Sequence, residues 1–394
     1  MLFIIFGIVI AMPASSLSQS VSESRFNELV AQAQKASADN RLDESVVYYT
    51  KALTLRPLWA EGWWSLGTLE YDQDHYAKAS NAFTKLLALN PRNGTAHAML
   101  GLCQFEMHLD NAALAHLLAA EKYGVVKDDQ LRNVAIFHLG LLQLRSRSFS
   151  SAKETFAQLA KDGVRTNELI SSLGQVALMI RPENAPAEGT EGFRVVNRVG
   201  DAEVALAAKD FARARQIYAG LSADFPQYPN LHLAYGRLLL ELHESDDAVA
   251  QFVEELRNDP DNIHSLLEIA AVRYQVDSEN ALPFAERAVR LAPKVPLAHF
   301  LLGAIRLDIG DTAAAIPQLE LARRGLPNTA QVYFVLGTAY ARAGRKLDAE
   351  RARAEFARLN ALDSDRSDAT VYGEQSAGLR SKDIQSIDAG GPPR

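Results

Sequence analysis

Apolar residues between Ala60 and Pro91 recur at helical spacing on both sides of a polar break at residues 72–74. Trp63 belongs to the first apolar series and Phe83 to the second. Because side chains three and four residues apart share one helix face, this pattern predicts two short helices that fold back on each other. Pro91 cannot continue a helix and is expected to end the second one.

Gly67 lies inside the first predicted helix, where glycine costs about 1 kcal/mol relative to alanine. We therefore expect a structural reason for it. Ala79 on the second helix has no bulky side chain. The two backbones are predicted to approach each other closely at this pair.

The same hairpin pattern recurs along most of the chain with a period of 34 residues. With Ala60 as position 1, position 8 is glycine at Gly67, Gly101, Gly140, Gly236, Gly303 and Gly337, and Gly174 lies 34 residues after Gly140. Position 20 is small at Ser45, Ala79, Ala113, Ala152, Ala214, Ala248, Ala281, Ala315 and Ala349. Proline closes the repeats at Pro57, Pro91, Pro226, Pro260, Pro293 and Pro327. Such recurrence indicates a repeat protein.

This pattern resembles the tetratricopeptide repeat (TPR) family, whose signature is Trp-x2-Leu-Gly-x2-Tyr, then Ala-x3-Phe and Pro in 34 residues. The match covers roughly residues 26–360, and Glu70 departs from it by taking the slot of the signature tyrosine. The resemblance implies an all-α fold, a right-handed superhelical solenoid of antiparallel helix pairs that bury one another. It also implies a concave groove that binds a partner protein or peptide.

Breaks in the repeat predict how the chain is organised. We expect a signal peptide over 1–20, an N-terminal array of about four repeats over 23–164, an incomplete repeat and loop over 165–191, a C-terminal array of about five repeats over 192–360, and a flexible tail over 361–394. Two prolines and a glycine close together after Arg181 indicate the loop. The tail has few apolar residues, so it cannot bury enough surface to become ordered.

The apolar run over residues 1–12 is too short for a membrane span, which needs about 20 residues. A serine-rich stretch follows it, which is typical of a secretory signal cleaved near residues 14–20. We therefore expect an exported, periplasmic protein with no stable membrane span after cleavage. No Lys or Arg precedes the run, and a cytoplasmic location is expected if the run is not a functional signal.

Composition narrows the classes of function. A formal net charge of −7 gives no electrostatic footprint for nucleic acid. The single cysteine, Cys103, cannot form an intrachain disulfide or a zinc site with other cysteines, and its apolar surroundings predict a buried, inert thiol.

The nine histidines suggest a metal or catalytic site, but the repeat explains three of them. His97, His232 and His299 all occupy position 4, the slot of Trp63, so they are predicted to replace an aromatic packing residue. The chain has no His-Glu-x-x-His pair, phosphate-binding loop or nucleophile elbow. We expect no enzyme activity, no cofactor and no metal.

The resemblance implies that first-helix positions 2, 5, 9, 12 and 13 line the partner groove. Carried over residue by residue, the candidate groove residues are Trp64, Thr68, Tyr71, Leu102, Phe105, Phe137, Leu141, Arg237, Arg273, Tyr274, Phe300 and Phe334. Their apolar and aromatic character suits an amphipathic helix or an extended apolar segment. Glu61, Trp64 and Thr68 stand where chaperone-binding members of the family hold a terminal carboxylate, so a carboxylate clamp is not expected there.

Three alternatives remain open. Some of these residues pack between neighbouring repeats, since aromatic stripes at helical spacing usually belong to a core. The groove is filled by the chain itself, through residues 182–191 or the tail. The protein is an accessory subunit of a periplasmic enzyme or of an envelope-assembly complex, not a general scaffold.

Overall fold

The computed structural model describes residues 14–125 and 129–367, and within these ranges the chain folds into α-helices with no β-strand. The predicted all-α fold of helix hairpins is confirmed. Nineteen helices occur in the described residues: α1 (Ala14–Ala38), α2 (Leu42–Leu55), α3 (Ala60–Tyr71), α4 (Tyr76–Leu89), α5 (Gly94–Glu106), α6 (Asp110–Tyr123), α7 (Asp129–Arg145), α8 (Phe149–Lys161), α9 (Asn167–Ala177), α10 (Glu191–Ala207), α11 (Phe211–Asp224), α12 (Leu231–Glu241), α13 (Ser245–Asn258), α14 (Ile263–Tyr274), α15 (Ser278–Leu291), α16 (Pro296–Asp308), α17 (Thr312–Gly325), α18 (Ala330–Arg342) and α19 (Lys346–Ser367).

The chain forms two compact units, one up to Leu142 and one from Gln143. The first contains α1 to α6 and most of α7. The second contains α8 to α19. In both units the core lies between neighbouring helices, as in the group of Ala33, Tyr49 and Leu66 in the first unit and that of Leu266, Leu301 and Ala315 in the second.

The turn within a hairpin is closed by one residue with a left-handed backbone. This residue stands at position 15 of the repeat in eight hairpins: Asn40, Asp74, His108, Arg147, Lys209, His243, Gly310 and Gly344. In the second hairpin the amide of His75 then donates to the carbonyl of Glu70 at 2.9 Å, which satisfies an orphan carbonyl at the end of α3. The helix is thereby stopped and the chain reversed within a few residues.

The structure corrects the reason given for Gly67. A Cβ atom built on Gly67 would lie 2.7 Å from the ring of Phe83, at position 24, so the glycine makes room for that ring and the contact is not set by Ala79. The same relation joins Gly101 to Leu117, Gly236 to Phe252 and Gly303 to Leu319. In these four hairpins the glycine at position 8 therefore makes room for the side chain at position 24 of the second helix.

The segment over residues 165–191 contains α9 and a short 3-10 turn over Pro182–Asn184, with no α-helix between α9 and α10. Helices α9 and α10 instead pack directly on each other. A Cβ on Gly174 would lie 1.9 Å from the carbonyl oxygen of Val196, and one on Gly200 would lie 1.9 Å from that of Ile170. Two glycines thus permit backbone contact where the second helix of a repeat is absent.

The predicted signal peptide and tail fall largely outside the described residues. Helix α1 begins at Ala14, and residues 1–13 are not described. Helix α19 continues to Ser367, beyond the predicted end of the array at 360, and residues 368–394 are not described. Among the described residues, no helix is both long and apolar enough to cross a bilayer.

Candidate functional site

The candidate groove residues differ in their access to solvent. Leu102 and Phe300 are only 3% and 2% exposed, so they belong to the core and offer no surface to a partner. Phe334 is 46% exposed. The others are half-buried: Trp64, Thr68, Tyr71, Phe105, Phe137, Leu141, Arg237, Arg273 and Tyr274. We call the partly exposed residues at positions 5, 9, 12 and 13 of the first helices the first-helix face.

In the first unit this face is mainly aromatic. Phe105 of α5 meets His138 of α7 edge-on, with ring centroids 4.6 Å apart, and Phe137 lies against the same imidazole at 5.9 Å. Tyr71 contacts Tyr76 at 5.5 Å. The structure therefore brings several of the predicted aromatic residues into ring contacts while leaving part of each in solvent.

Trp64 and Thr68 make contacts within their own hairpin. The Trp64 ring lies 5.6 Å from Phe83, the ring accommodated by Gly67. The Thr68 hydroxyl donates to the carbonyls of Trp64 and Ser65 on its own helix, at 3.2 and 3.0 Å. Both side chains thus support the hairpin as well as bordering the face.

Carboxylates border the aromatic face of the first unit. Burial, followed by the nearby Cys103, Glu106 and Asp72, raises the pKa of Tyr71. Asp72 and Glu106 are exposed, and both stand at position 13 of their repeats. An aromatic face beside negative charge favours a ligand that combines apolar groups with positive charge.

In the second unit, the predicted groove cation Arg237 is held by an ion pair. Its Nε donates to Oε1 of Glu268 at 3.0 Å, and Glu268 is fully buried. Burial is the main reason that the pKa of Glu268 is raised, and the charge of Arg237 only partly offsets it. Glu268 stands at position 7, where the family pattern has leucine, and this departure was its signal in the sequence.

A second buried ion pair was not predicted. Nζ of Lys153 on α8 lies 3.1 Å from Oε2 of Glu203 on α10, and the hydroxyl of Tyr218 donates to Oε1 of Glu203 at 2.6 Å. Burial alone would lower the pKa of Lys153, but the charges of Glu203 and Glu241 outweigh it and raise the pKa. Lys153 therefore stays cationic. Glu203 stands at position 9, equivalent to Arg237, so its position in the groove pattern was the signal available.

In five repeats the position-4 side chain makes the same hydrogen bond. Each donates to the carbonyl of the proline six residues earlier: Trp63 to Pro57 at 2.8 Å, His97 to Pro91 at 3.0 Å, His232 to Pro226 at 2.9 Å, His299 to Pro293 at 2.9 Å and Tyr333 to Pro327 at 2.9 Å. The three histidines thus replace an aromatic residue, as predicted, and link their repeat to the one before. Within the described residues no group of three metal-ligating side chains occurs.

The second ring nitrogen of these histidines faces position 23 of the same hairpin. Nδ1 of His232 lies 2.7 Å from Oε1 of Gln251, and Nδ1 of His299 lies 2.7 Å from Oε1 of Gln318. In the third repeat the partner is another histidine, with 2.9 Å between Nδ1 of His97 and Nδ1 of His116. Burial and the adjacent His97 lower the pKa of His116.

Cys103 is fully buried. Burial raises the pKa of its thiol to about 12, so the nucleophilic thiolate is scarce at neutral pH. The predicted burial of this thiol is confirmed, and its inertness stays a prediction.

Stacked helix hairpins with equivalent glycines and equivalent interhairpin hydrogen bonds define a helical-repeat protein. Models of the tetratricopeptide repeat match residues 60–93, 205–268, 271–325 and 305–365. The chain belongs to the tetratricopeptide repeat family, as its sequence resemblance predicted.

Cellulose synthase operon protein C of Xanthomonas axonopodis pv. citri (strain 306) is 28% identical over 256 residues, which cover 58% of this chain and 16% of that protein. The match thus spans less than a fifth of that relative. Among solved structures, MamA 41-end from Desulfovibrio magneticus RS-1 is 21% identical, with a TM-score of 0.38, and the match covers 43% of this chain and 94% of that one. Yeast Tom70 is 14% identical with a TM-score of 0.36, covering 88% and 90%. At these identities the likeness concerns the fold alone.

Proposed function

We propose that this protein is a non-catalytic scaffold that binds a partner protein or peptide on its first-helix face. The observation that carries the proposal is the partial exposure of Tyr71, Phe105 and Phe137 in the first unit. Aromatic rings are enriched at the centres of protein interfaces, because they bury a large area with little loss of conformational entropy. A partner that covers these rings gains that burial.

The chemistry of the face indicates the kind of partner. Its rings suit the apolar side of an amphipathic helix or an extended apolar segment. Asp72 and Glu106 beside them favour lysine or arginine on the same segment. The structural role of Trp64 makes it a supporting residue, and Phe105 is the sharper test position.

The test is partner capture with the full chain from envelope extract, followed by identification and a binding titration with the purified partner. We expect Phe105→Ala to weaken binding about tenfold or more, because an interface aromatic contributes at least ~1.4 kcal/mol. Phe211→Ala is the matched control, since Phe211 is 39% exposed on a second helix. Equal binding by wild type, Phe105→Ala and Trp64→Ala would remove the first-helix face from the interface.

A second candidate function is that of an accessory subunit in an envelope-assembly complex. The likeness to a cellulose synthase operon protein supports it. Co-purification from the native host separates the two functions. An accessory subunit is recovered in fixed stoichiometry with the enzymes encoded beside it, whereas a general scaffold is recovered with several partners.

Export to the periplasm is part of the proposal, and the apolar run with its serine-rich continuation supports it. N-terminal sequencing of the protein from the native host provides the test. A mature chain that begins near residues 14–20 is expected. An intact Met1 in a cytoplasmic fraction would contradict export.

A further inference from the structure

A pocket opens in the second unit between helices α8, α9, α10 and α12. Its volume is about 20 Å³, which is room for a small polar group and not for a whole drug-sized ligand. Phe149, Val176, Ala177 and Ala234 form its apolar wall, and its polar lining consists of Ser150, Lys153, Glu203 and Arg237. The pocket lies where the helix missing after α9 lets α8 approach α10, so it has no equivalent in a regular hairpin stack.

The carboxylate that lines this pocket is already used, because the two oxygens of Glu203 receive hydrogen bonds from Tyr218 and Lys153. Glu268 is not among the lining residues; its Oε1 receives the bond from Arg237, and its buried Oε2 has no partner among the described residues. A ligand that enters the pocket therefore finds few acceptors along the pocket lining.

The donors, by contrast, have capacity left. Arg237 carries five N–H groups, and among the described residues only Nε has a close partner, while Nη1 lies 4.0 Å from the sulfur of Met179. Lys153 carries three N–H groups, and one of them serves Glu203. The hydroxyl of Ser150 is buried and has no partner among the described residues.

Two cations held this deep carry a large desolvation cost, which good geometry only partly offsets. The side chains of Lys153 and Arg237 are 20% and 11% exposed. An anion that contacts both cations would meet their unused donors.

We propose that this pocket binds a carboxylate group, with Arg237 and Lys153 as its cationic ligands and Ser150 as a neutral donor. Two sources supply this chemistry: the side chain of a glutamate or aspartate in a bound peptide, and a small free carboxylate. The peptide source rests on the proposed scaffold function, whereas carboxylate binding itself does not.

Glu241 is the internal competitor. Its Oε1 lies 3.9 Å from Nζ of Lys153, and its side chain is 42% exposed. A bound carboxylate must therefore share Lys153 with Glu241. Removal of that charge by Glu241→Gln is expected to strengthen carboxylate binding, which an unspecific effect of salt would not do.

The experiment is scanning calorimetry of the full chain in sodium acetate, at ionic strength held constant with sodium chloride. A ligand that binds the folded state raises the unfolding midpoint in proportion to ln(1 + [L]/Kd), so the dose dependence yields a dissociation constant. We expect acetate to raise the unfolding midpoint in a saturable way and acetamide to leave it unchanged. Blocked glutamate, compared with blocked glutamine and with inorganic phosphate, then separates a peptide side chain from other anions.

The variants decide the assignment. Arg237→Gln, or the paired Arg237→Gln with Glu268→Gln if the single change fails to fold, should weaken acetate binding about tenfold or more, as expected for loss of a charge-assisted bond. Glu241→Gln should strengthen it, and Arg257→Gln, on the exposed surface, should leave it unchanged. An acetate effect equal to that of chloride in the wild type, or one that survives the Arg237 variants, overturns the proposal.

Discussion

The histidine pair between α5 and α6 gives the sharpest prediction, because the chain contains its own control. His116 occupies the position held by Gln251 and Gln318 in two other hairpins, and in each case the residue faces Nδ1 of the position-4 histidine. We therefore expect His116→Gln to reproduce an arrangement that the fold already uses. The substitution removes a titratable group without removing the hydrogen-bond partner of His97.

The expected effect is a change in the pH dependence of stability. The pKa of His116 is lowered in the folded protein, so as pH falls through the unfolded value of about 6.5 the unfolded chain takes up a proton that the folded chain does not. Stability is complete above that pH and is lost below it until the folded pKa is reached. A full proton corresponds to about 1.4 kcal/mol per pH unit. Because His116 is only half-buried, solvent screening reduces this to roughly 0.5 kcal/mol between pH 6.5 and 5.5.

The assay is urea unfolding followed by tryptophan fluorescence at pH 8.0, 6.5 and 5.5. All three tryptophans, Trp59, Trp63 and Trp64, lie in the same compact unit as the histidine pair, so the signal reports on that unit. We expect the wild type to lose more stability than His116→Gln on acidification. His108→Asn is the control, since it removes an exposed histidine and keeps a residue that tolerates the left-handed backbone. Parallel loss in wild type and His116→Gln would refute the assignment.

Three further predictions follow from the repeat. Gly67→Ala should destabilise the protein by about 1–3 kcal/mol in urea unfolding, because its Cβ would lie 2.7 Å from the Phe83 ring. Gly337→Ala, with no neighbour closer than 3.5 Å, should be neutral or stabilise by up to ~1 kcal/mol. Equal effects of the two substitutions would contradict the proposed role of position 8. Lys209→Gly should stabilise by about 1 kcal/mol in the same assay, because lysine is strained at its φ of 61° and glycine is not; destabilisation would show that the turn does not depend on this backbone. Cys103 should resist alkylation in the native protein at pH 8 and react in urea, measured by mass spectrometry, because its thiol is buried and protonated; fast native labelling would show that α5 opens readily.

The helix hairpins could be predicted from the sequence because periodicity is a local property repeated many times. Gly101 and Gly303 mark the same contact in different repeats, so each repeat supports the register of the others. The reason for the glycine could not be predicted correctly. A helical pattern shows which residues share a face, but it does not show whether Ala79 or Phe83 comes nearest to Gly67.

The ionic cluster was beyond sequence reasoning for a different reason. Lys153, Glu203 and Arg237 come from three helices, and they meet because α9 lacks a second helix after it. A residue pattern assigns each of them to a regular slot, whereas their proximity depends on an irregularity in the stack. The left-handed backbone at position 15, by contrast, has a signal in the sequence, because Asn40, Asp74, Gly310 and Gly344 are of the residue types that tolerate it.

The seventh repeat lacks two features that its neighbours share, the position-4 hydrogen bond and the left-handed residue at position 15. Ser265 stands at position 4, where its buried hydroxyl has no partner among the described residues, and Val276 stands at position 15, outside the left-handed region that the other turns use. Pro283 interrupts the amide series of α15, as Pro317 does in α17 of the next repeat. A hairpin that lacks these shared stabilising contacts is expected to open before its neighbours, so hydrogen exchange in the second unit should start in α14 and α15. Because Glu268 belongs to α14, local opening of this hairpin would break the ion pair between Glu268 and Arg237. Opening of the seventh repeat would therefore change the charge that the sixth repeat exposes.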